Sequence, residues 1–150
     1  MQESLYLDTS VPSAYYDHRA KERQEATVAF WKNVIPKYRV FVSEITLEEL
    51  HSTKDAALRS DFLKLVSPFK VFKMNHRTEE LAAAYIEHGI MPEKYIYDAY
   101  HAAIATYHSI NFLVSWNFDH LVKAKTRKLL NSVNILEGFN PIEIISPPEL

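Results

Sequence analysis

A short apolar run that ends at a carboxylate decides the fold: Leu5-Tyr6-Leu7-Asp8-Thr9-Ser10-Val11-Pro12. A run of this length and composition is typical of a strand that is buried on both faces of a parallel sheet. Asp8 then lies at the carboxyl end of that strand. In open α/β sheets, this edge is where ligands bind and where chemistry takes place.

Three more acids stand in comparable settings downstream. Glu49 follows the strand-like residues 40–43, Asp98 opens an alanine-rich helix, and Asp119 follows the strand-like residues 112–115. Two carboxylates about 4 Å apart repel by roughly 4 kcal/mol at an effective dielectric constant of about 20, so a cluster of acids calls for a cation. Oxygen-only ligands favour Mg²⁺ or Mn²⁺ over Zn²⁺.

Length and composition bound the class of protein. The 150 residues predict one domain, residues 1–150, and 47% hydrophobic with 24% charged residues is ordinary for a globular chain. The absence of cysteine excludes disulfides, thiolate nucleophiles and sulfur-ligated metal sites. A net charge of -2 argues against nucleic-acid binding through overall charge, although local basic patches stay possible.

Two absences narrow the class further. No apolar stretch reaches the roughly 20 residues of a membrane span, and residues 1–4 lack the basic start of a signal peptide, so we expect a cytoplasmic protein without a membrane partner. Only two glycines occur, Gly89 and Gly138. A P-loop needs two glycines in a fixed frame and a dinucleotide fingerprint needs three, so both sites are excluded.

Strand-like runs alternate with helical patterns along the chain. The strand-like segments are residues 5–7, 40–43, 70–74, 111–115 and 142–145. The helical patterns cover residues 22–35, a helix that Thr46 caps, and residues 56–66, 78–88, 95–109 and 117–130, with Gly89 suited to end the fourth. This alternation predicts an α/β fold with a central parallel sheet of four to five strands flanked by helices on both faces.

Each acid also has a purely structural interpretation. Asp8 can cap the helix that follows it, and Glu49, beside Glu48, can complement a helix dipole. Asp119 can be an acid in the first turn of a helix whose N-cap is Asn117. Asp98 is the stronger candidate for a functional role, because its helical neighbours include small residues that permit close packing of the helix against a sheet.

Together the acids fall within four motifs that resemble those of PIN-domain nucleases, in particular the VapC-type toxins of bacterial toxin–antitoxin pairs. The motifs are Tyr6-Leu7-Asp8-Thr9-Ser10-Val11, Ser43-Glu44-Ile45-Thr46-Leu47-Glu48-Glu49-Leu50, Asp98-Ala99-Tyr100-His101-Ala102-Ala103-Ile104-Ala105 and Leu113-Val114-Ser115-Trp116-Asn117-Phe118-Asp119. They follow the order and spacing of that family over nearly the whole chain. The resemblance implies a PIN-like fold, bound Mg²⁺ or Mn²⁺, and endonuclease cleavage of RNA.

The resemblance also implies roles for single residues. Asp8, Glu49, Asp98 and Asp119 are the implied catalytic acids, and these four with Asn117 are the implied metal ligands. Asn117 occupies a position that is often acidic in relatives, and it lowers the negative charge of the site.

Three departures from the family pattern bear on the site. Glu48 and Glu49 compete for the second acidic position, and we choose Glu49 because it directly precedes Leu50. Trp116 stands where a basic residue is frequent, and His101 stands where an apolar residue is usual. These changes bear on substrate preference more than on metal binding.

Weaker candidates concern the RNA. Thr9 and Ser115 border two of the acids and are candidate substrate-binding groups. A basic run follows Asp119 and consists of Lys123, Lys125, Arg127 and Lys128. It either holds the RNA backbone or forms a solvated helix face.

Three function classes stay open. The first is a metal-dependent endoribonuclease that hydrolyses phosphodiesters with a metal-activated water, acts as a toxin, forms a homodimer and binds a small antitoxin. The second is a phosphatase with Asp8 as nucleophile, which Ser10 disfavours because that chemistry needs an acid there. The third is a catalytically weak or inactive PIN-fold module that binds RNA or protein, which Asn117 makes conceivable.

Four aromatic residues lie in the first part of the chain. They either line a groove that binds a partner or pack in the core: Tyr15, Tyr16, Phe30 and Trp31.

Overall fold

The computed structural model describes residues 2–150 as a five-stranded parallel sheet with helices on both faces. The strands are β1 (Ser4–Leu7), β2 (Arg39–Ser43), β3 (Lys70–Phe72), β4 (Phe112–Val114) and β5 (Glu143–Ile145). Their order across the sheet is β3-β2-β1-β4-β5, and every neighbouring pair is parallel. The predicted α/β class is confirmed, and each predicted strand is present to within two residues.

Seven α-helices connect these strands. They are α1 (Ser10–Tyr15), α2 (Lys21–Asn33), α3 (Glu44–His51), α4 (Ala56–Val66), α5 (His76–Glu87), α6 (Ile96–Tyr107) and α7 (Ala124–Leu136). Short 3₁₀ turns lie at Ile35–Lys37, Glu93–Tyr95 and Pro147–Glu149. None of the helices in residues 2–150 has the length and apolar character of a membrane span.

The first strand lies at the centre of the sheet, which explains its apolar sequence. All four residues of β1 are buried, and β1 pairs with β2 on one side and β4 on the other. The backbone N–H of Asp8 donates to the carbonyl of Val114, so the ladder extends to the first acid. The carboxyl ends of β1, β2 and β4 therefore meet at one edge of the sheet.

Alternation along β1 divides the core into two layers. Leu5 and Leu7 pack on the face that α1, α2 and α4 cover, with Phe30 and Phe62 among their neighbours. Tyr6 points to the opposite face, which α5, α6 and α7 cover. Because both faces are covered, only the edges of the sheet are accessible to a ligand.

Two predicted helix starts were wrong for local reasons. Thr46 does not begin a helix, because Ser43 is the N-cap of α3 and Thr46 completes its capping box from the third helical position. The last predicted helix starts at Ala124 and not at Asn117. Residues 117–123 form turns, in which the Asn117 side chain accepts a hydrogen bond from the backbone N–H of His120. The burial of Leu121 in the core fixes this segment.

Candidate active site

Asp8 is held at the carboxyl end of β1 and is only 3% exposed. Its Oδ1 accepts hydrogen bonds from the Ser10 backbone N–H at 3.0 Å and the Ser10 hydroxyl at 2.5 Å, and its Oδ2 accepts from the Ser115 hydroxyl at 2.5 Å. Burial raises the pKa of Asp8, the charge of His101 and the two hydroxyls oppose that rise, and the charge of Asp98 adds to it. Asp8 is therefore a buried, crowded carboxyl group, in addition to ordering the turn that leads into α1.

Glu49 lies on α3 and is held from two sides. Its Oε1 accepts a 2.6 Å hydrogen bond from the Thr9 hydroxyl and lies 2.7 Å from His101 Nε2. Burial acts to raise the pKa of Glu49, but the hydrogen bond and charge of His101, with the Thr9 hydroxyl, lower it overall. The neighbouring Glu48 is exposed and accepts from the Tyr97 hydroxyl. Of the two adjacent acids, only Glu49 contacts the site.

Asp98 lies in the first turn of α6, as the alanine-rich face predicted. Ala99, Ala102 and Ala105 are fully buried, so α6 packs closely on the sheet and brings Asp98 to its edge. The Asn117 side-chain amide donates to Asp98 Oδ2 at 3.1 Å. Burial raises the pKa of Asp98, the charges of His101 and His120 lower it, and the charge of Glu49 raises it further.

His101 is a buried, hydrogen-bonded side chain whose contacts with the site acids the sequence did not predict. It is 2% exposed and lies on α6, one turn beyond Asp98. Its Nδ1 is 2.7 Å from the Tyr6 hydroxyl, which in turn donates to Ser43 Oγ at 2.7 Å. Its charge favours the ionised form of the three inner acids, Asp8, Glu49 and Asp98. The signal in the sequence was a histidine at an otherwise apolar position of the third motif.

The remaining predicted site residues lie at the rim. Asp119 is exposed, and within residues 2–150 no hydrogen bond joins it to the three inner acids. Lys123 and Lys125 are exposed at the start of α7. Arg127 donates to the carbonyl of Ile144 at 3.1 Å, so that side chain is attached to β5. The carboxyl edge of the sheet therefore gathers three predicted acids and Asn117, and leaves the fourth acid and the basic run outside.

The two predicted substrate-binding hydroxyls both bind an acid. Thr9 donates to Glu49 and lies 3.3 Å from His101, while Ser115 donates to Asp8 and accepts from the backbone N–H of Asn117 at 2.9 Å. These hydroxyls fix the carboxylates in place. A direct role for either in binding substrate stays a prediction.

The chemistry of this donor set fits a hard divalent cation. The carboxylate oxygens of Asp8, Glu49 and Asp98 are the kind of donor that Mg²⁺ and Mn²⁺ prefer. Asn117 turns its NH₂ group towards Asp98, while its amide oxygen accepts from the His120 N–H, so this amide would have to reorient to offer its oxygen to a cation. The charge of Asp98 raises the pKa of Asp8, and the charge of Glu49 raises the pKa of Asp98, so a cation would relieve that repulsion. Within residues 2–150, however, no three acidic or histidine side chains are already arranged as a metal cage. Glu49 is instead held by His101.

Comparison with known proteins relates the chain to a family. A model of the PIN domain family matches residues 5–126. No curated protein sequence matches the chain.

Solved structures with the same fold come from bacterial proteins. FitAcB from Neisseria gonorrhoeae is 18% identical with a TM-score of 0.65, covering 97% of this chain and 99% of that one. VapC20 from Mycobacterium tuberculosis, a Sarcin-Ricin loop cleaving toxin, is 19% identical with a TM-score of 0.63, covering 77% and 92%. VapBC2 from Rickettsia felis, bound to a DNA fragment from its promoter, is 14% identical with a TM-score of 0.59, covering 95% and 98%. At these sequence identities, the similarity shows a shared fold and nothing more.

Proposed function

This chain belongs to the PIN domain family, and on that premise we propose that it is an Mg²⁺- or Mn²⁺-dependent endoribonuclease, the toxin of a toxin–antitoxin pair. The family is one of nucleases, and its match covers all three inner acids. We further propose that the protein acts in the cytoplasm on RNA and that an antitoxin binds it.

One observation carries the proposal: three carboxyl groups from three separate elements converge at the edge of the sheet, in spite of their mutual repulsion. Asp8 follows β1, Glu49 lies on α3 and Asp98 opens α6. Burial and neighbouring charge raise the pKa of both Asp8 and Asp98, which is a cost that a structural role does not require. A cation bound by these carboxylates offsets that cost and also reduces their repulsion of a phosphodiester.

The protein's own residues have distinct parts in this proposal. Asp8, Glu49, Asp98 and Asn117 would hold the cation, with Asp119 reaching in from the rim as the fourth acid. The bound cation supplies a polarised phosphate oxygen and a water molecule acidic enough to act as nucleophile. Ser10, Ser115 and Thr9 hold the carboxylates in fixed orientations. His101 orients Glu49 through its hydrogen bond, as partners of metal ligands commonly do.

The toxin role is supported by the fold and by the partners of similar proteins. A further similar structure, VapBC-5 from Mycobacterium tuberculosis, belongs to the VapBC family of toxin–antitoxin systems, and VapC20 is named as a toxin that cleaves the Sarcin-Ricin loop. We propose a small antitoxin as partner and a homodimer as the assembled form. Both follow from that resemblance.

Cleavage of RNA by the purified protein tests the proposed function. We expect cleavage with Mg²⁺ or Mn²⁺ that stops when a chelator is added, measured on labelled single-stranded and structured RNA. The matched variants are Glu49→Gln and Glu48→Gln, which differ by one position on α3. Loss of activity in the first and its retention in the second support the site. Cleavage that persists in chelator, in a preparation whose Asp98→Asn variant is equally active, contradicts it.

A second candidate function is a PIN-fold module that binds RNA or protein with little turnover. It is favoured by the lack, within residues 2–150, of a ready-made metal cage and by the neutral Asn117 beside Asp98. Such a module binds RNA in magnesium and leaves it intact. The replacement Asn117→Asp discriminates the two, because an added acid should raise metal affinity and cleavage in a true nuclease.

A further inference from the structure

Arg23 lies against two aromatic rings beside the acidic edge. Its guanidinium carbon is 5.0 Å from the centroid of the Trp116 ring and 5.9 Å from that of Phe118. Trp116 is fixed in the core, because its indole N–H donates to the Thr27 hydroxyl at 2.9 Å, one turn beyond Arg23 on α2. Phe118, in contrast, is 47% exposed. A rigid ring thus holds a cation next to a ring that faces solvent.

The Arg23 guanidinium has unused hydrogen-bonding capacity. Within residues 2–150, no carboxylate lies within salt-bridge distance of it and no side-chain hydrogen bond uses its donors. The nearby Asp17 binds Arg19 at 3.0 Å, so its charge is already balanced. A guanidinium offers five N–H donors in a planar fork that suits a phosphate group.

A cavity lies beside this cation, and two of its lining residues contact the inner acids. It measures about 560 Å³, and its wall includes Arg23, Trp116 and Phe118, the polar residues Ser10 and Asn117, and the carboxylates Asp17 and Asp119. Ser10 donates a hydrogen bond to Asp8, and Asn117 donates one to Asp98. The volume lies in the range of small-ligand sites, roughly 300–1,000 Å³. An RNA strand with one phosphate at the acids therefore has room for its neighbouring nucleotide in this cavity.

We propose that Arg23 and Phe118 form a binding site for one unpaired nucleotide of an RNA strand, with the guanidinium on its phosphate and its base on the exposed Phe118 ring. This inference rests on the proposed function, since it takes the phosphate at the acids to belong to RNA. In such a nucleotide, the base would stack on the aromatic ring while the adjacent phosphate binds the guanidinium. A protein partner is the less suitable occupant, because two residues of the cavity wall, Ser10 and Asn117, hydrogen-bond the acids that would bind the cleaved phosphate.

Binding is measured with 12-nucleotide oligo(A), oligo(U) and a 12-base-pair RNA duplex, each carrying a fluorescent label. Anisotropy is recorded in magnesium in a Glu49→Gln background, so that cleavage does not consume the probe. The variants are Arg23→Ala, Phe118→Leu and Phe118→Tyr. Arg77→Ala is the matched control for the arginine. Arg77 also lies over an aromatic ring, with its guanidinium carbon 4.9 Å from the Phe139 centroid, but it is on α5, which carries none of the site acids. Tyr107→Leu is the control for an exposed aromatic ring.

Each variant has its own expected result. Phe118→Leu should weaken oligo(A) binding about tenfold, since base–aromatic stacking is lost, whereas Phe118→Tyr should retain it. The duplex should change less than about twofold, because its bases are already stacked inside the helix. Arg23→Ala should lower the slope of log affinity against log salt by about 0.7, the value for one phosphate contact on a single strand. Arg77→Ala and Tyr107→Leu should behave like the parent.

The outcomes separate this inference from the proposed function. RNA cleavage in magnesium together with parent-like binding by Arg23→Ala and Phe118→Leu overturns the nucleotide site and leaves the nuclease intact. Selective loss of single-strand binding in a protein that never cleaves RNA supports the site and overturns the nuclease. Variants that bind RNA normally but no longer co-purify with an antitoxin identify a protein-binding surface, and overturn the inference as well.

Discussion

His101 Nε2 lies 2.7 Å from Glu49 Oε1, and this partly buried contact joins α6 to α3 across the edge of the sheet. The same ring reaches the Tyr6 hydroxyl through its other nitrogen. Through these two contacts the third motif orients the acid of the second motif. The arrangement gives the site a positive or hydrogen-bonding centre among three carboxyl groups.

The Glu49–His101 contact predicts a dependence of stability on acid pH. The folded-state pKa of Glu49 is lowered from its ordinary value of 4.5, so Glu49 stabilises the fold above about pH 4.5 and that contribution is lost as pH falls below it. We expect the difference in Tm between wild type and Glu49→Gln to shrink from pH 6 to pH 3. Glu48→Gln serves as control. A difference that stays constant with pH contradicts the contact.

Asp8→Asn is predicted to stabilise the protein in the absence of metal. The folded-state pKa of Asp8 is raised from 3.8, so the fold favours the protonated group and loses that stability as pH rises through the raised value. Asparagine removes the charge and can still accept from the Ser10 N–H. We expect a gain on the order of 1 kcal/mol at pH 7, or about 2–4 °C in Tm, and a smaller gain at pH 4.

Melting curves in chelator at both pH values check this prediction, with the exposed Asp61→Asn as control. The variant should also lose RNA cleavage by at least about a hundredfold, because a cation ligand is gone. If Asp8 serves only to order the turn before α1, asparagine replaces it without effect. A variant that melts and cleaves like wild type would establish that simpler role.

Divalent cations are predicted to raise the Tm of wild type. Binding to the folded state alone stabilises it by mass action, by up to about 2.7 kcal/mol at a hundredfold excess over the dissociation constant. Asp8→Asn and Asp98→Asn should respond much less, and Glu48→Gln should respond fully. Titration of Mg²⁺ or Mn²⁺ in a thermal-shift assay measures this without requiring activity. Equal shifts in all four proteins indicate general ionic effects and count against a metal site.

A homodimer with a bound antitoxin is the last prediction. Tyr15, Tyr16, Trp31 and Phe69 form a chain of ring contacts at 4.8–5.9 Å, of which several rings are only partly buried. Phe30, predicted either as groove or as core, is in the core at 2% exposed. Light scattering should give twice the monomer mass, and purification from the native operon should yield a small second protein. A strict monomer without a partner contradicts this assembly.

Local sequence determined the elements and the identity of three site acids. Alternating apolar runs predict all five strands, and Gly89, with a φ of +73°, ends α5 as its position indicated. The four motifs identified the PIN family before any long-range contact was considered. These features depend on residues within one turn or one strand of each other, so their physical causes lie in the sequence itself.

Tertiary structure alone decided which side chains meet. The central position of β1 brings Asp8 near Asp98, and the packing of α6 against α3 brings His101 to Glu49. Asp119 stays at the rim because Leu121 draws the turn of residues 117–123 towards the core. Arg23 reaches Trp116 because Thr27 ties α2 to that indole. Each contact joins residues far apart in the chain, and the burial of apolar surface between layers, which no local pattern encodes, sets their distance.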